Sequence, residues 1–107
     1  MIHLDTDQER QVQKEIIRQL GTMNILSISG GRVQARGLRV KLPVSNGYSV
    51  LIEYDEGMDT YTVSRIFKRG NSEWIKGQLS NVYCDQLAEV AYKAGMFRSY
   101  SAEEWTS

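Results

Sequence analysis

The residue types best able to do chemistry are scarce in this chain. It holds one cysteine, Cys84, and one histidine, His3. A structural zinc site takes about four such ligands, and a Cys–His nucleophile pair would have to bring Cys84 to the N-terminal fringe. Cys84 reads instead as a small apolar core residue. With no second cysteine an intrachain disulfide is excluded, which fits a reducing cytoplasm. Asp55, Glu56 and Asp59 could attract a cation, but their spacing is not that of a calcium loop, and a solvated acidic turn is the simpler reading. Gly30-Gly31-Arg32 has the glycines of a phosphate cradle without the lysine or the following helix of a P-loop. General acid–base catalysis needs groups whose pKa values are driven apart within a cleft, and no pair of carboxylates here is spaced to share one. These residues point away from an enzyme, call for no cofactor or metal, and leave binding as the expected activity.

Charge shows where binding would occur. Thirteen basic and thirteen acidic residues cancel over 107 positions, which argues against general nucleic-acid binding, since that relies on a surplus of positive charge. The order is uneven, however. From Gly30 to Ile52 the chain carries Arg32, Arg36, Arg39 and Lys41 and no acid; Glu53, Asp55, Glu56 and Asp59 follow at once; Arg65, Lys68, Arg69 and Lys76 then stand against Glu73. Exposed aromatic and arginine residues are typical of protein interfaces. The expected partner-binding residues are therefore Arg32, Arg36, Arg39, Lys41, Leu51, Trp74, Phe97 and Trp105. A nucleic-acid alternative would use Arg32, Arg36, Arg39, Lys41, Lys68 and Arg69. A third reading traps a small anionic ligand such as a nucleotide in a homodimer cleft near Gly30-Gly31-Arg32.

Positioning these residues requires regular elements. Thr6-Asp7-Gln8-Glu9 has the capping-box pattern, and Val12, Ile16, Ile17 and Leu20 follow at helical spacing. Gly21 supplies a stop, and Arg10, Gln11, Lys14 and Arg18 form the wet face. Ile25–Ser29 reads as a short strand ended by Gly30-Gly31. Leu38, Val40 and Leu42 alternate with Arg39 and Lys41, a half-buried strand. Val33 and Ala35 alternate in the opposite phase, so a β-bulge is expected at Gly37, placing Arg32, Arg36, Arg39 and Lys41 on one side.

Register settles the next turn. A two-residue turn at Asn46-Gly47 would set Val40 opposite Glu53 and mix the faces. A three-residue loop, Ser45 to Gly47, pairs Val44 with Tyr48, Leu42 with Val50, Val40 with Ile52 and Leu38 with Tyr54, and brings Arg39 to Glu53. A one-residue slip inverts a whole strand, so the three-residue loop is predicted, with Gly47 at positive φ. A second hairpin spans about Thr60 to Gln78, turning at Gly70-Asn71, with Phe67 opposite Trp74, Ile66 opposite Ile75 and Arg65 opposite Lys76. That last pairing of like charges is unfavourable and calls for an acidic neighbour or a different register. A final helix, about Val82 to Ala94, buries Tyr83, Leu87, Val90, Ala91 and Ala94 and ends at Gly95. Leu20 and Leu87 are the expected centres of the two buried stripes. The tail residues Met96, Phe97, Tyr100 and Trp105 are expected to fold back on the core.

The fold class predicted is α+β: an antiparallel four- to five-stranded sheet with an N-terminal and a C-terminal helix packed on it, in the order α-β-β-β-β(-β)-α. Residues 1–107 form a single domain, with a core of about 6–100 and a tail at 101–107. No run approaches the roughly 20 apolar residues of a membrane span, and the opening, acidic by Asp5, is unlike a secretory signal. Helix, strands, helix is also the order of the double-stranded RNA-binding domain. That domain begins its last helix with lysines, whereas Val82-Tyr83-Cys84-Asp85-Gln86-Leu87-Ala88-Glu89 is acidic, and the analogy fails at its functional residues. No aromatic motif for stacking single-stranded bases is present.

Over about residues 15–100 the chain resembles a group of short proteins encoded by bacteriophages and prophages. The residues that carry the resemblance are Gln19-Leu20-Gly21, Lys41-Leu42-Pro43, Tyr48-x-Val50-x-Ile52-x-Tyr54, Asp59-Thr60-Tyr61-Thr62-Val63, Val82-Tyr83-Cys84-Asp85-x-Leu87-x-Glu89 and Ala94-Gly95-Met96-Phe97. These are strand and helix patterns, and no functional residue is carried over with them. The resemblance implies a mobile-element origin, a host-cell cytoplasm, and action by binding and blocking a host protein, defence systems included.

Overall fold

The computed structural model describes residues 5–105. Helix α1 (Asp7–Leu20) begins as the sequence predicts: the Thr6 hydroxyl accepts from the Glu9 amide at 3.1 Å, and the Glu9 carboxylate accepts from the Thr6 amide at 2.8 Å. Gly21, at φ 84°, ends α1 and also starts a second helix, α2 (Thr22–Ser29). The strand expected at Ile25–Ser29 is therefore helical. Ile25 and Ile28 are buried one turn apart while Leu26 is exposed, and a short apolar run fits both periods until a tertiary partner decides between them. The partner is the last helix, α3 (Leu87–Gly95), whose Ala88 carbonyl accepts from the Asn24 amide at 2.8 Å.

Five strands form one antiparallel sheet in sequence order: β1 (Gln34–Arg36), β2 (Arg39–Pro43), β3 (Tyr48–Asp55), β4 (Thr60–Arg69) and β5 (Ser72–Val82). The architecture is the predicted α+β class, with helices before and after the sheet. The expected register of β2 and β3 holds, with Leu42 opposite Val50, Val40 opposite Ile52 and Arg39 opposite Glu53. The Val44 amide donates to Tyr48 at 2.8 Å, and Gly47 takes φ 85°. Gly37 is not a bulge. It lies at φ 59° in a two-residue turn joining β1 to β2, with Arg36 opposite Arg39, and glycine at the first central position suits such a hairpin. A hairpin and a bulge both change the phase of an apolar pattern, which is why alternation alone did not separate them. The turn is fastened to α1: the Gly37 amide donates to Asp5 Oδ1 at 3.0 Å, and Gln13 Nε2 donates to the Gly37 carbonyl at 2.9 Å.

The second hairpin pairs Phe67 with Trp74 and Ile66 with Ile75 as predicted, but Arg65 faces Gly77 and not Lys76. An extra residue in β5 shifts the register there, and a second shift lies between Tyr61 and Val63. Strand β5 also runs on to Val82, which pairs with Tyr61 and is buried. The last helix thus starts at Leu87, five residues later than predicted, and Tyr83 is exposed. Leu20 and Leu87 are buried as expected.

All three helices lie on one face of the sheet. Ile16, Leu20, Ile25, Ile28, Leu87, Val90 and Ala94 meet Val40, Leu42, Val50, Ile52 and Val63 in one core cluster. The tail completes it: a short 3-10 turn (Ala102–Glu104) brings Trp105 to full burial. Its ring sits over Gly77, where an added Cβ would lie 3.2 Å from the indole and 3.0 Å from Ala102. Arg65, on the same face of β4, is buried beside it. Its Nε donates to the Ala94 carbonyl at 2.8 Å, and Nη2 donates to those of Lys93 and Tyr100 at 3.2 and 2.7 Å. The guanidinium lies 5.3 Å from the Trp105 ring centroid. Burial pushes the Arg65 pKa down, but arginine starts so far above neutrality that it stays charged.

Two substitutions test this arrangement. At Gly47 a Cβ would come 2.6 Å from the Lys68 carbonyl oxygen, and the backbone is left-handed; Gly47→Ala is expected to cost about 2 kcal/mol in chemical denaturation, and an unchanged midpoint would refute the register. Arg65→Leu leaves the Ala94 and Tyr100 carbonyls without this donor, at about 1 kcal/mol or more each, and removes the stacking on Trp105, while the Lys93 carbonyl keeps the Met96 amide at 3.2 Å. In a Trp74→Phe background, the variant's Trp105 fluorescence should shift to the red as the tail loosens, with a stability loss of about 3 kcal/mol.

Candidate binding surface

Among the described residues, no helix packs on the other face of the sheet. Pairing places Gln34 opposite Lys41, Lys41 opposite Leu51 and Leu51 opposite Ser64, with Arg36, Arg39 and Glu53 in the next row. On the other side of that row lie Ser49, Ile66 and Ile75. Side chains alternate across a strand, so all of these share the open face. Leu51, Ile66 and Ile75 form an apolar stripe running obliquely across it; Ile66 is buried at its centre while Ile75 is 62% exposed. A depression of about 510 Å³ is lined by Gln34, Arg36, Arg39, Lys41, Leu51, Ile66 and Glu73. A second, of about 630 Å³, lies beyond the two arginines, between them and Glu9, Glu53 and Tyr54.

Most of the acids near these cations are already engaged. Arg39 Nη2 stands 3.8 Å from Glu53 Oε2, the contact expected from register. Glu9 is committed to the cap of α1. Glu73 sits directly opposite Lys68. Arg36 is directly opposite Arg39, an arrangement that costs stability between like charges. Among the described residues, neither Arg36 nor Lys41 forms a salt bridge.

The other expected partner-binding residues lie elsewhere. Arg32 is exposed but tethered: its Nε donates to the Ser29 carbonyl at 3.1 Å and its Nη2 to that of Val44 at 3.1 Å, tying the end of α2 to the β2–β3 loop. Those bonds use two of the five donors of an exposed side chain, so the anionic-ligand reading at Gly30-Gly31-Arg32 would draw on the others. Trp105 belongs to the core and is not available to a partner. Trp74 and Phe97 lie on the helix side, at the ends of a ladder of rings. Trp74 packs on Phe67 (5.8 Å between centroids), Phe67 on Tyr48 (5.0 Å) and Tyr48 on Phe97 (4.0 Å). Of the nucleic-acid set, Lys68 lines a groove of about 600 Å³ with Arg32 and Lys41 around the β2–β3 loop, and Arg69 is exposed at the tip of the second hairpin. Ile66 and Ile75 were absent from the expected site, although their cross-strand pairing was readable in the hairpin.

The remaining chemistry lies at the edge of α1. Cys84 is exposed, not packed in the core, and borders a depression of about 490 Å³ with Glu15, Gln19, Tyr54, Asp59 and Tyr61. The Tyr54 hydroxyl donates to Asp59 Oδ1 at 2.7 Å, which drives the phenol up to about 12. Hydrogen bonds from Arg18 and Gln19 hold the Glu15 carboxyl down at about 2. Among the described residues no three His, Cys, Asp or Glu are grouped to hold a metal ion, and His3 lies outside the described residues. Among the described residues no helix is long and apolar enough to cross a membrane.

Comparison of the chain with family models, with curated proteins and with solved structures found no match. The fold and surface define a class by themselves: a small sheet with helices on one side and an open, partly apolar, basic face on the other. Within it, Arg32 and Arg36 are expected to separate. Arg32→Ala should lower stability by about 1 kcal/mol through its two lost carbonyl contacts. Arg36→Ala should stay within about 0.5 kcal/mol. Equal midpoints for the two variants would remove the distinction.

Proposed function

We propose that this chain is a non-enzymatic binding module that docks another protein on the open face of its sheet. The observation that carries this reading is the Leu51–Ile66–Ile75 stripe. It is an apolar track on a face that no helix covers, edged by Arg36, Arg39 and Lys41. Interfaces commonly combine an apolar centre with a polar rim, and arginine is enriched in them. Nucleic-acid binding is less well supported. Single strands are held by stacking on aromatic rings, and every aromatic residue of the strands lies on the helix side. Glu53 and Glu73 interrupt the basic surface where a phosphate chain would run. The resemblance to short phage-encoded proteins supports a host-cell protein as the partner, met in the cytoplasm, with its blockade as the effect.

The test places a photo-crosslinking amino acid at Leu51 or Ile75 and, as controls, at the exposed Met58 and Tyr83, in bacteria expressing the full chain. A partner should be captured from the sheet positions and not from the control positions. Leu51→Glu in a chain labelled at Ile75 should abolish that capture while leaving the fold intact. Capture from the control positions alone would overturn the proposal.

A further inference from the structure

The distribution of charge on the open face specifies what kind of segment it would hold. Arg39 and Lys41 are two residues apart on β2, and their side chains point the same way, with about 6.6–6.8 Å between successive same-side positions of a strand. Arg36 is set beside Arg39 by the two-residue turn. Extended chains repeat their side chains at the same interval. An acidic residue at position i of an extended segment laid along β2 therefore falls between Arg36 and Arg39, and one at i+2 falls at Lys41. Across the sheet from Lys41 lies Leu51, with Ile66 diagonal to it on β4; both line the same depression, where an aliphatic side chain would be covered.

Carboxylates suit this site better than phosphates for two reasons on the same face. Glu53 is 3.8 Å from Arg39 and leaves that guanidinium able to accept one more localised acid, since an arginine carries five donors. Glu73 closes the far side of the depression, and a continuous phosphate backbone would run into it. The like-charged Arg36–Arg39 pair is the strongest local reason for an external acid, because a bridging carboxylate would convert a repulsive pair into two charge-assisted hydrogen bonds.

We propose that the open face binds an extended acidic segment of a partner protein, with carboxylates at i and i+2 held by Arg36, Arg39 and Lys41 and an aliphatic side chain seated on Leu51 beside Ile75, above the buried Ile66. This rests on the reading that the face docks a protein. The experiment selects short random peptides displayed on a surface, using the full chain at physiological salt. Selected sequences should be enriched for two acids separated by one residue, with an aliphatic residue nearby. Arg36→Glu and Lys41→Glu should each weaken the selected peptides by about tenfold or more, the scale of one charge-assisted contact. Peptides with lysine in place of one acid should regain affinity for the reversed variants and not for the original chain. Circular dichroism and denaturation midpoints check that each variant is folded, and Arg36→Gln and Lys41→Gln provide milder versions.

Other results overturn the inference in distinguishable ways. Aliphatic peptides without acids, lost on Leu51→Glu and indifferent to charge reversal, would refute the acidic segment and leave the docking face standing. Peptides indifferent to both kinds of variant, or no enrichment, would refute the segment and the docking face together. Labelled oligothymidylate or duplex DNA binding more tightly than any peptide, and lost on charge reversal, would reassign the cations to phosphate. Self-association lost on the same variants would make a second copy of this chain the occupant and exclude the acidic segment of a partner.

Discussion

The buried guanidinium of Arg65 is the interaction on which the arrangement of this molecule turns. A helix leaves its last carbonyls without intrahelical partners, and α3 ends inside the protein, against the sheet. Arg65 satisfies the carbonyls of Lys93 and Ala94 from below, reaches the Tyr100 carbonyl in the tail, and presents its flat face to Trp105. A charge taken out of water is costly unless its hydrogen bonds are made, and here three are. One side chain thus joins β4, the end of α3 and the C-terminal tail. The pairing of Arg65 with Gly77 follows from this. Only a residue without a side chain leaves room on β5 for Trp105, and the extra residue in β5 puts Gly77 in that position in place of Lys76.

That clamp gathers the apolar and aromatic material to one side. The three helices, the tail and the aromatic residues of the strands all lie on the helix face, and Tyr48, Phe67, Trp74 and Phe97 continue it as a ladder of rings. The opposite face keeps serines, threonine and charged groups, as a solvated antiparallel face should. Its departure from that rule is the apolar stripe beside unpaired cations. A face built only for solvent would place polar residues where Leu51 and Ile75 stand, and would not set Arg36 against Arg39.

How much of the fold was legible depended on whether one physical rule had a single solution. The β2–β3 register did: one pairing put Val40, Leu42, Val50 and Ile52 on the same face, and its alternative buried Glu53. The cap at Thr6 was equally local, since both its hydrogen bonds lie within one turn. Ile25–Ser29 had two solutions, because five residues cannot distinguish a period of two from one of 3.6. The choice was made by α3, more than sixty residues away in the chain. Val82 was read as helix because its neighbours fit an apolar stripe, but the ladder bond to Tyr61 carried the strand further. The charge clash predicted between Arg65 and Lys76 was the one local signal that the register needed an extra residue, and the bulge removes it.

The candidate surface was legible as a charge pattern and not as a set of roles. In the sequence, register sets Arg39 apart by pairing it with Glu53, while Arg32 and Arg36 stand alike as cations without a local acid. The structure divides them by what stands near each guanidinium. Arg32 follows a helix that ends in Gly30, so carbonyls are exposed within its reach, and it turns to them. Arg36 and Arg39 flank a turn held to α1 through Asp5 and Gln13, and one oxygen of the nearby Glu9 carboxylate is used by the cap. Fastening the turn therefore fixes two cations side by side, with the Glu9 carboxylate on the far side of the turn from the open face. The same hydrogen bonds that stabilise the edge of the sheet thus hold in place the two cations on which the proposed docking of an acidic segment rests.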